Sequence, residues 1–184
     1  MSRRAIFCVA ASIGALAALG ACEVRGGEGS DCPAGVQQAT PSGYCVPRYV
    51  SLKRGEVFGR KGPGADYATV YVYHVRGLPV QVVDETADWR RICDPDGGSA
   101  WVSSAMLDGR RTVMALGAAP VALRRDPGDA SPANAYLRPR SVAALTGRSR
   151  DGQKGDWREV SVDGAKGWVK WSEVWGLATG AQCR

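Results

Sequence analysis

The sequence predicts an all-β protein: two small barrels in tandem, set behind an export segment and a cysteine-containing linker. Three observations carry this. Beyond residue 47 the chain is a series of short alternating segments rich in Val, Tyr and Trp, punctuated by Gly, Pro and Asp, which is the pattern of antiparallel β structure. No window after the N-terminal apolar stretch repeats at helical spacing. The two halves of the chain also carry the same residues in the same order, so one unit is present twice.

At the N-terminus, Arg3 and Arg4 precede an apolar run from Ala5 to Ala21 that ends in small residues. That order is the plan of a secretory signal peptide, assigned to residues 1–21. A transmembrane anchor needs roughly 20 apolar residues, and this Ala- and Gly-rich stretch is shorter. Leu19-Gly20-Ala21-Cys22 resembles the lipobox of bacterial lipoproteins, whose cysteine takes a diacylglycerol. Ordinary cleavage, leaving Cys22 as a thiol, is the alternative. Cysteine parity favours acylation. Without Cys8 the chain keeps Cys22, Cys32, Cys45, Cys93 and Cys183, and an odd cysteine is awkward in an oxidising compartment. Lipid on Cys22 leaves four, enough for two disulfides. The lipoprotein resemblance implies the periplasmic face of the envelope, with Glu23 after the cysteine pointing to the outer membrane; a soluble periplasmic or secreted protein is the other outcome.

Residues 22–47 are Gly-, Ser- and Pro-rich and read as a flexible tether. Four cysteines allow three pairings. Cys32–Cys45 is preferred because it is local, closing a loop worth about 3 kcal/mol in the chain-entropy model.

Strands are expected over Tyr49–Leu52, Thr69–Val75, Pro79–Asp84, Trp89–Cys93, Ala100–Val102 and Arg111–Met114, separated by turns at Lys61-Gly62-Pro63-Gly64, Asp94-Pro95-Asp96-Gly97-Gly98 and Asp108-Gly109. The repeat aligns Val57-Phe58-Gly59-Arg60-Lys61-Gly62-Pro63-Gly64 with Val121-Ala122-Leu123-Arg124-Arg125-Asp126-Pro127-Gly128. It then aligns Asp88-Trp89-Arg90-Arg91-Ile92 with Asp156-Trp157-Arg158-Glu159-Val160, and Ala100-Trp101-Val102 with Gly167-Trp168-Val169. The modules are placed at 48–114 and 115–178, with a tail at 179–184.

These elements resemble the bacterial SH3 (SH3b) family: a Gly-Pro-Gly opening, an aromatic entering a strand, an Asp-Gly turn and Gly-Trp-Val near the end. The second copy is degenerate, with Asp126 in place of the first glycine of the turn; Phe58 and Gly59 also depart from the usual opening. The resemblance implies SH3-like barrels that bind through aromatic side chains around the loop after the Gly-Pro-Gly turn.

Within Trp89–Cys93, alternation points Ile92 and Arg90 inward and Trp89, Arg91 and Cys93 outward. Ser161 stands where the first copy has Cys93, so Cys93 reads as an added tie on an outer face, with Cys183 its natural partner.

The side chains offer no catalytic constellation. His74 is the sole histidine and sits in a Tyr- and Val-rich segment, where a structural role is the default. No C-x-x-C supports a zinc site, Asp84/Glu85 and Asp94/Asp96 read as solvated turn residues, and the Pro-Gly turns lack the P-loop ending. The protein is therefore expected to be non-enzymatic and without a cofactor. The full chain is formally +6; losing Arg3 and Arg4 with the leader leaves +4, scattered rather than striped, which does not suit nucleic acid. By the family resemblance, Tyr67, Tyr71, Tyr73, Trp89 and Trp101 are groove candidates, with Trp101 and Trp168 read foremost as core or lid. Arg60, Lys61, Arg90 or Arg91 would meet ligand carboxylates. Two partners follow: cell-wall peptide, with peptidoglycan stem peptide the first choice, or another envelope protein. Any membrane contact runs only through a lipid on Cys22.

Overall fold

The computed structural model describes residues 32, 40–146, 153–178, 180 and 182–183; the leader expected at 1–21 and Cys22 lie outside these. Fifteen strands are formed among the described residues. The first sheet uses β1 (Arg48–Leu52), β2 (Val57–Arg60), β3 (Thr69–Tyr73), β4 (Pro79–Glu85), β5 (Trp89–Cys93), β6 (Ser99–Ser103) and β7 (Leu107–Asp108), with a 3-10 turn at Ser104–Met106 before β7. The second uses β8 (Thr112–Ala115), β9 (Val121–Arg124), β10 (Ala133–Leu137), β11 (Val142–Leu145), β12 (Gln153–Lys154), β13 (Trp157–Val162), β14 (Ala165–Lys170) and β15 (Val174–Trp175), with a 3-10 turn at Trp171–Glu173 before β15.

The strand orders are β3-β2-β6-β5-β4-β1-β7 and β10-β9-β14-β13-β11-β8-β15. Mapped strand for strand, they are one topology written twice; β12, which pairs β13 off the path, is the extra hairpin of the second copy. All pairings are antiparallel, and each sheet stops short of closure because its first and last strands do not pair with each other. The strand expected at Arg111–Met114 forms as β8 and pairs with β11 and β15, so the sheets change over between Asp108 and Thr112. Val57–Arg60, a repeat segment not among the expected strands, is also a strand. The Asp163-Gly164 turn of β13 and β14 has positive φ at both residues, 48° and 84°, as a two-residue hairpin matching strand twist requires.

Both cores are aliphatic. The first gathers Val46, Leu52, Val80, Val82, Ile92 and Val102 with their neighbours, the second Val113, Val121, Leu123, Leu137, Val160 and Val169, each such side chain worth about 1.5–3 kcal/mol when fully buried. No tryptophan belongs to either core: Trp101 and Trp168, read as core or lid, are half-buried on the outer faces. Alternation explains it, because Val102 and Val169 next to them take the inward positions.

The end of the expected tether is docked. Val46 is in the first core, and Cys32 is bonded to Cys45, with Cα atoms 5.7 Å apart. Ser42 donates its backbone N–H to the Glu85 carboxylate at 3.0 Å and its hydroxyl to the same oxygen. Arg48 and Arg90 reach the other oxygen at 2.7 and 2.9 Å. Burial alone would raise the Glu85 carboxyl, but hydrogen bonds from Ser42, Thr40 and Arg48 outweigh it and bring the pKa down to about 2. Glu85 is thus a buried anchor rather than a solvated turn residue. Asp94 is buried too, accepting from the backbone N–H groups of Asp96 and Gly98 at 2.9 and 2.8 Å.

The two copies are tied together in several places. Cys93 is bonded to Cys183, with Cα atoms 5.2 Å apart, and the Gln81 side-chain amide grips the tail on both sides, donating to Gly180 O and accepting from Gln182 N, each at 2.7 Å. Cys93 does point to the outer face, yet it is fully buried because the tail lies over it. Arg140 forks onto Asp96 with two 2.8 Å hydrogen bonds, Tyr49 meets Trp175 edge to face at 5.0 Å, and Met114 of β8 is buried in the first core.

Candidate functional site

Directly opposite residues on antiparallel strands share a face. The register sets Arg60 of β2 opposite Trp101 of β6, and Trp101 opposite Arg91 of β5. These three form a row across the outer face of the first copy. Two positions along, Trp89 faces Ser103, and with Glu56, Phe58, Arg60 and Met106 they line a cleft of about 220 Å³. Phe58 is half-exposed and Trp89 partly so. Arg91 in this row and Glu56 at the cleft are exposed, and Lys61 is exposed just beyond the end of β2. An aromatic wall with cations and a carboxylate at its rim suits a ligand that is partly apolar and carries both signs of charge.

The expected single groove is divided. Tyr71 and Tyr73 point the other way, towards Gly59 and Ala100, with ring centroids 6.1 Å apart. The Tyr73 hydroxyl donates to Asp94 at 3.1 Å, and burial, then the Asp94 charge, push its pKa well up. Tyr73 is a structural hydrogen-bond donor. Tyr67 lies over the turn, where a Cβ on Gly62 would run into its ring; Arg60 Nη1 donates to the Tyr67 carbonyl at 2.8 Å, which holds this loop. His74 follows β3 and is exposed.

The second copy shows what the departures mean. Ser131 replaces Tyr67, so Asp126 fits where Gly62 was required, and Asp126 N donates to Ser131 Oγ at 2.9 Å. Arg124 Nη1 repeats the loop clamp, donating to Ser131 O at 2.7 Å. In the outer row Glu159 replaces Arg91, opposite Trp168, and accepts from Thr146 at 2.7 Å. Lys170 replaces Ser103: its ammonium lies 5.5 Å from the centroid of Trp157, the counterpart of Trp89, and 2.7 Å from Asp129. The second copy thus covers its own tryptophan with a lysine, whereas the first leaves the matching place open. The signal was present in the repeat alignment as Ser103 against Lys170, but only the β5–β6 register shows that this position faces the tryptophan.

A family model described as "Bacterial SH3 domain" matches residues 53–109 and again 117–176. The chain belongs to the bacterial SH3 domain family. The two matches fall on the two sheets, so the SH3 copies are tandem, as the repeat predicted. No curated protein sequence matches the chain. Among solved structures it is similar to NlpC2 from Trichomonas vaginalis, at 14% identity and a TM-score of 0.31 over 75% of this chain and 52% of that one. It is likewise similar to NlpC1 from the same organism, at 11% and 0.30 over 72% and 46%. The chain spans about half the length of these two proteins, and superposition at that level carries no argument about the site. The two disulfides of the SH3 pair fit an extracellular or envelope protein.

Proposed function

We propose that the protein is an exported, non-catalytic binding protein, held in the envelope by a lipid on Cys22, that grips cell-wall peptide on the outer face of its first SH3 copy. The observation that carries this reading is the contrast between the copies: Lys170 lies against Trp157, while Ser103 leaves Trp89 open beside the cleft. A peptidoglycan stem peptide offers carboxylates for Arg91 and Lys61 and, where uncrosslinked, an amine for Trp89 and Glu56. A cation over an indole is worth about 0.5–2 kcal/mol, depending on desolvation.

The test is co-sedimentation with purified sacculi. Wild type is expected to sediment, Trp89→Ala to lose at least about tenfold in affinity (1.4 kcal/mol), and Trp157→Ala to behave as wild type. Ser103→Lys, which gives the first copy the second copy's own plug, is expected to lose binding without loss of folding. Wild type that stays in the supernatant removes the proposal.

One observation favours docking to another envelope protein instead. The edge strand β3 exposes Val70, Tyr71 and Val72 beside Phe58, and an unpaired, β-prone edge is a template for strand addition. In that case cross-linking in cells traps one dominant protein through β3, and sacculi capture nothing.

A further inference from the structure

One cleft belongs to neither copy alone. It measures about 860 Å³ and opens where the copies meet, between the β3–β4 turn of the first, the 108–112 connection and β11 of the second. Arg76, Arg110 and Arg111 line it, with Asp108 as the acidic member of the lining and Ser51 and Thr112 beside them. Thr112 donates to Gly77 O at 2.6 Å, which fixes the two walls against each other.

The charges here do not balance. Asp108 is already engaged by Arg110, through the backbone N–H at 2.9 Å, Nε at 3.0 Å and Nη2 at 2.8 Å. Among the described residues neither Arg76 nor Arg111 has a carboxylate partner. Arg158 of the second copy adds further positive charge, close enough to repel Arg111. Arg48 and Arg90, by contrast, are paired with Glu85, and Arg140 with Asp96. Arg76 and Arg111 thus stand exposed on the cleft wall with no protein carboxylate among the described residues to meet them, and are open to an anion from outside.

We propose that the cleft between the two SH3 copies binds a phosphate-bearing anion. Arginine forks approach from two walls. A carboxylate presents two oxygens in one plane and satisfies one fork, whereas a phosphate presents its oxygens tetrahedrally and meets several. The volume exceeds that of a bare phosphate ion and admits a glycerol- or sugar-sized substituent. Such a group comes from an anionic lipid headgroup or from a soluble or polymeric phosphate ester. The site is separate from the Trp89 cleft and stands whether or not that face binds wall peptide.

The experiment uses the processed chain carrying Cys22→Ser, so that no acyl group reaches a membrane. Glycerol 1-phosphate is titrated calorimetrically at low and at physiological salt, and flotation is measured with vesicles of phosphatidylglycerol or of phosphatidylcholine alone. Binding to glycerol 1-phosphate, flotation with phosphatidylglycerol only, or both, is expected; the first points to a soluble ester and the second to a headgroup. Arg76→Gln/Arg111→Gln is expected to weaken whichever is seen by at least tenfold. Arg76→Lys/Arg111→Lys, which keeps charge and loses the forks, is expected to weaken it less. Arg125→Gln, outside the cleft, is expected to bind as wild type. Absence of both kinds of binding overturns the proposal, as does binding that the double glutamine variant retains while its circular dichroism is native. Equal competition by N-acetylglutamate overturns the assignment to phosphate.

Discussion

The crossing of β2 and β6 has room for one methyl group, and the repeat supplies the experiment that shows it. A Cβ on Gly59 would lie 2.8 Å from Ala100 Cβ and 3.0 Å from Tyr73 Cε2. In the second copy the same two positions are Leu123 and Gly167, and a Cβ on Gly167 would again lie 2.8 Å from Leu123 Cβ. The small residue has changed strands. Gly59→Ala is therefore expected to strain the crossing by about 1–3 kcal/mol, offset by roughly 0.4–1 kcal/mol of lost freedom in the unfolded chain. The net destabilisation is about 1–2 kcal/mol. Ala100→Gly alone removes a buried methyl, worth about 0.8 kcal/mol, and adds about 0.5–1 kcal/mol of glycine entropy. If strain at this contact is the cause, the double variant loses most of the first penalty, and a double-mutant cycle by urea denaturation gives a coupling of about 1–2 kcal/mol. Additivity within about 0.5 kcal/mol would mean independent sites and would refute the reasoning.

Two further perturbations concern the anchors. The folded pKa of Glu85, about 2, lies below the ordinary 4.5, so its stabilisation is complete above pH 4.5 and is lost as pH falls towards 2. That change is worth about 3 kcal/mol. Glu85→Gln is expected to lose about 3 kcal/mol at neutral pH by stranding Arg48 and Arg90, and to narrow its gap from wild type between pH 5 and 2; a constant gap in pH-dependent denaturation would contradict this. Cys183→Ser opens a closure spanning 90 positions, worth up to about 4–5 kcal/mol in the chain-entropy model. It is expected to let a maleimide reach Cys93, and a Cys93 that stays protected would show that the tail holds without the bond.

The repeat and most strands were legible because each rests on local signals: alternation within five residues, Asp-Gly turns, and tryptophans recurring in order. What the sequence hid depends on contacts between distant segments. Glu85 looks like a turn acid until Ser42 and Arg48 fold back onto it. Cys93 looks exposed until a tail from the far end covers it. Gly59 looks like a loop glycine, and only Ala100 on the neighbouring strand explains a glycine within β2. The groove candidates lie on two faces, since period-two alternation places Tyr71 and Tyr73 together without saying that Phe58 and Trp89 face the opposite way; pairing register decides that. Arg76 and Arg111 carried no sequence signal, because the cleft they line forms only when both copies dock.

Met114 hydrogen-bonds in the second sheet yet fills the first interior, joined there by Val142. A cut between the copies would leave a hole in one and a bare thioether on the other. The two copies are therefore expected to melt as a single unit, since neither keeps its full packing once the other has opened.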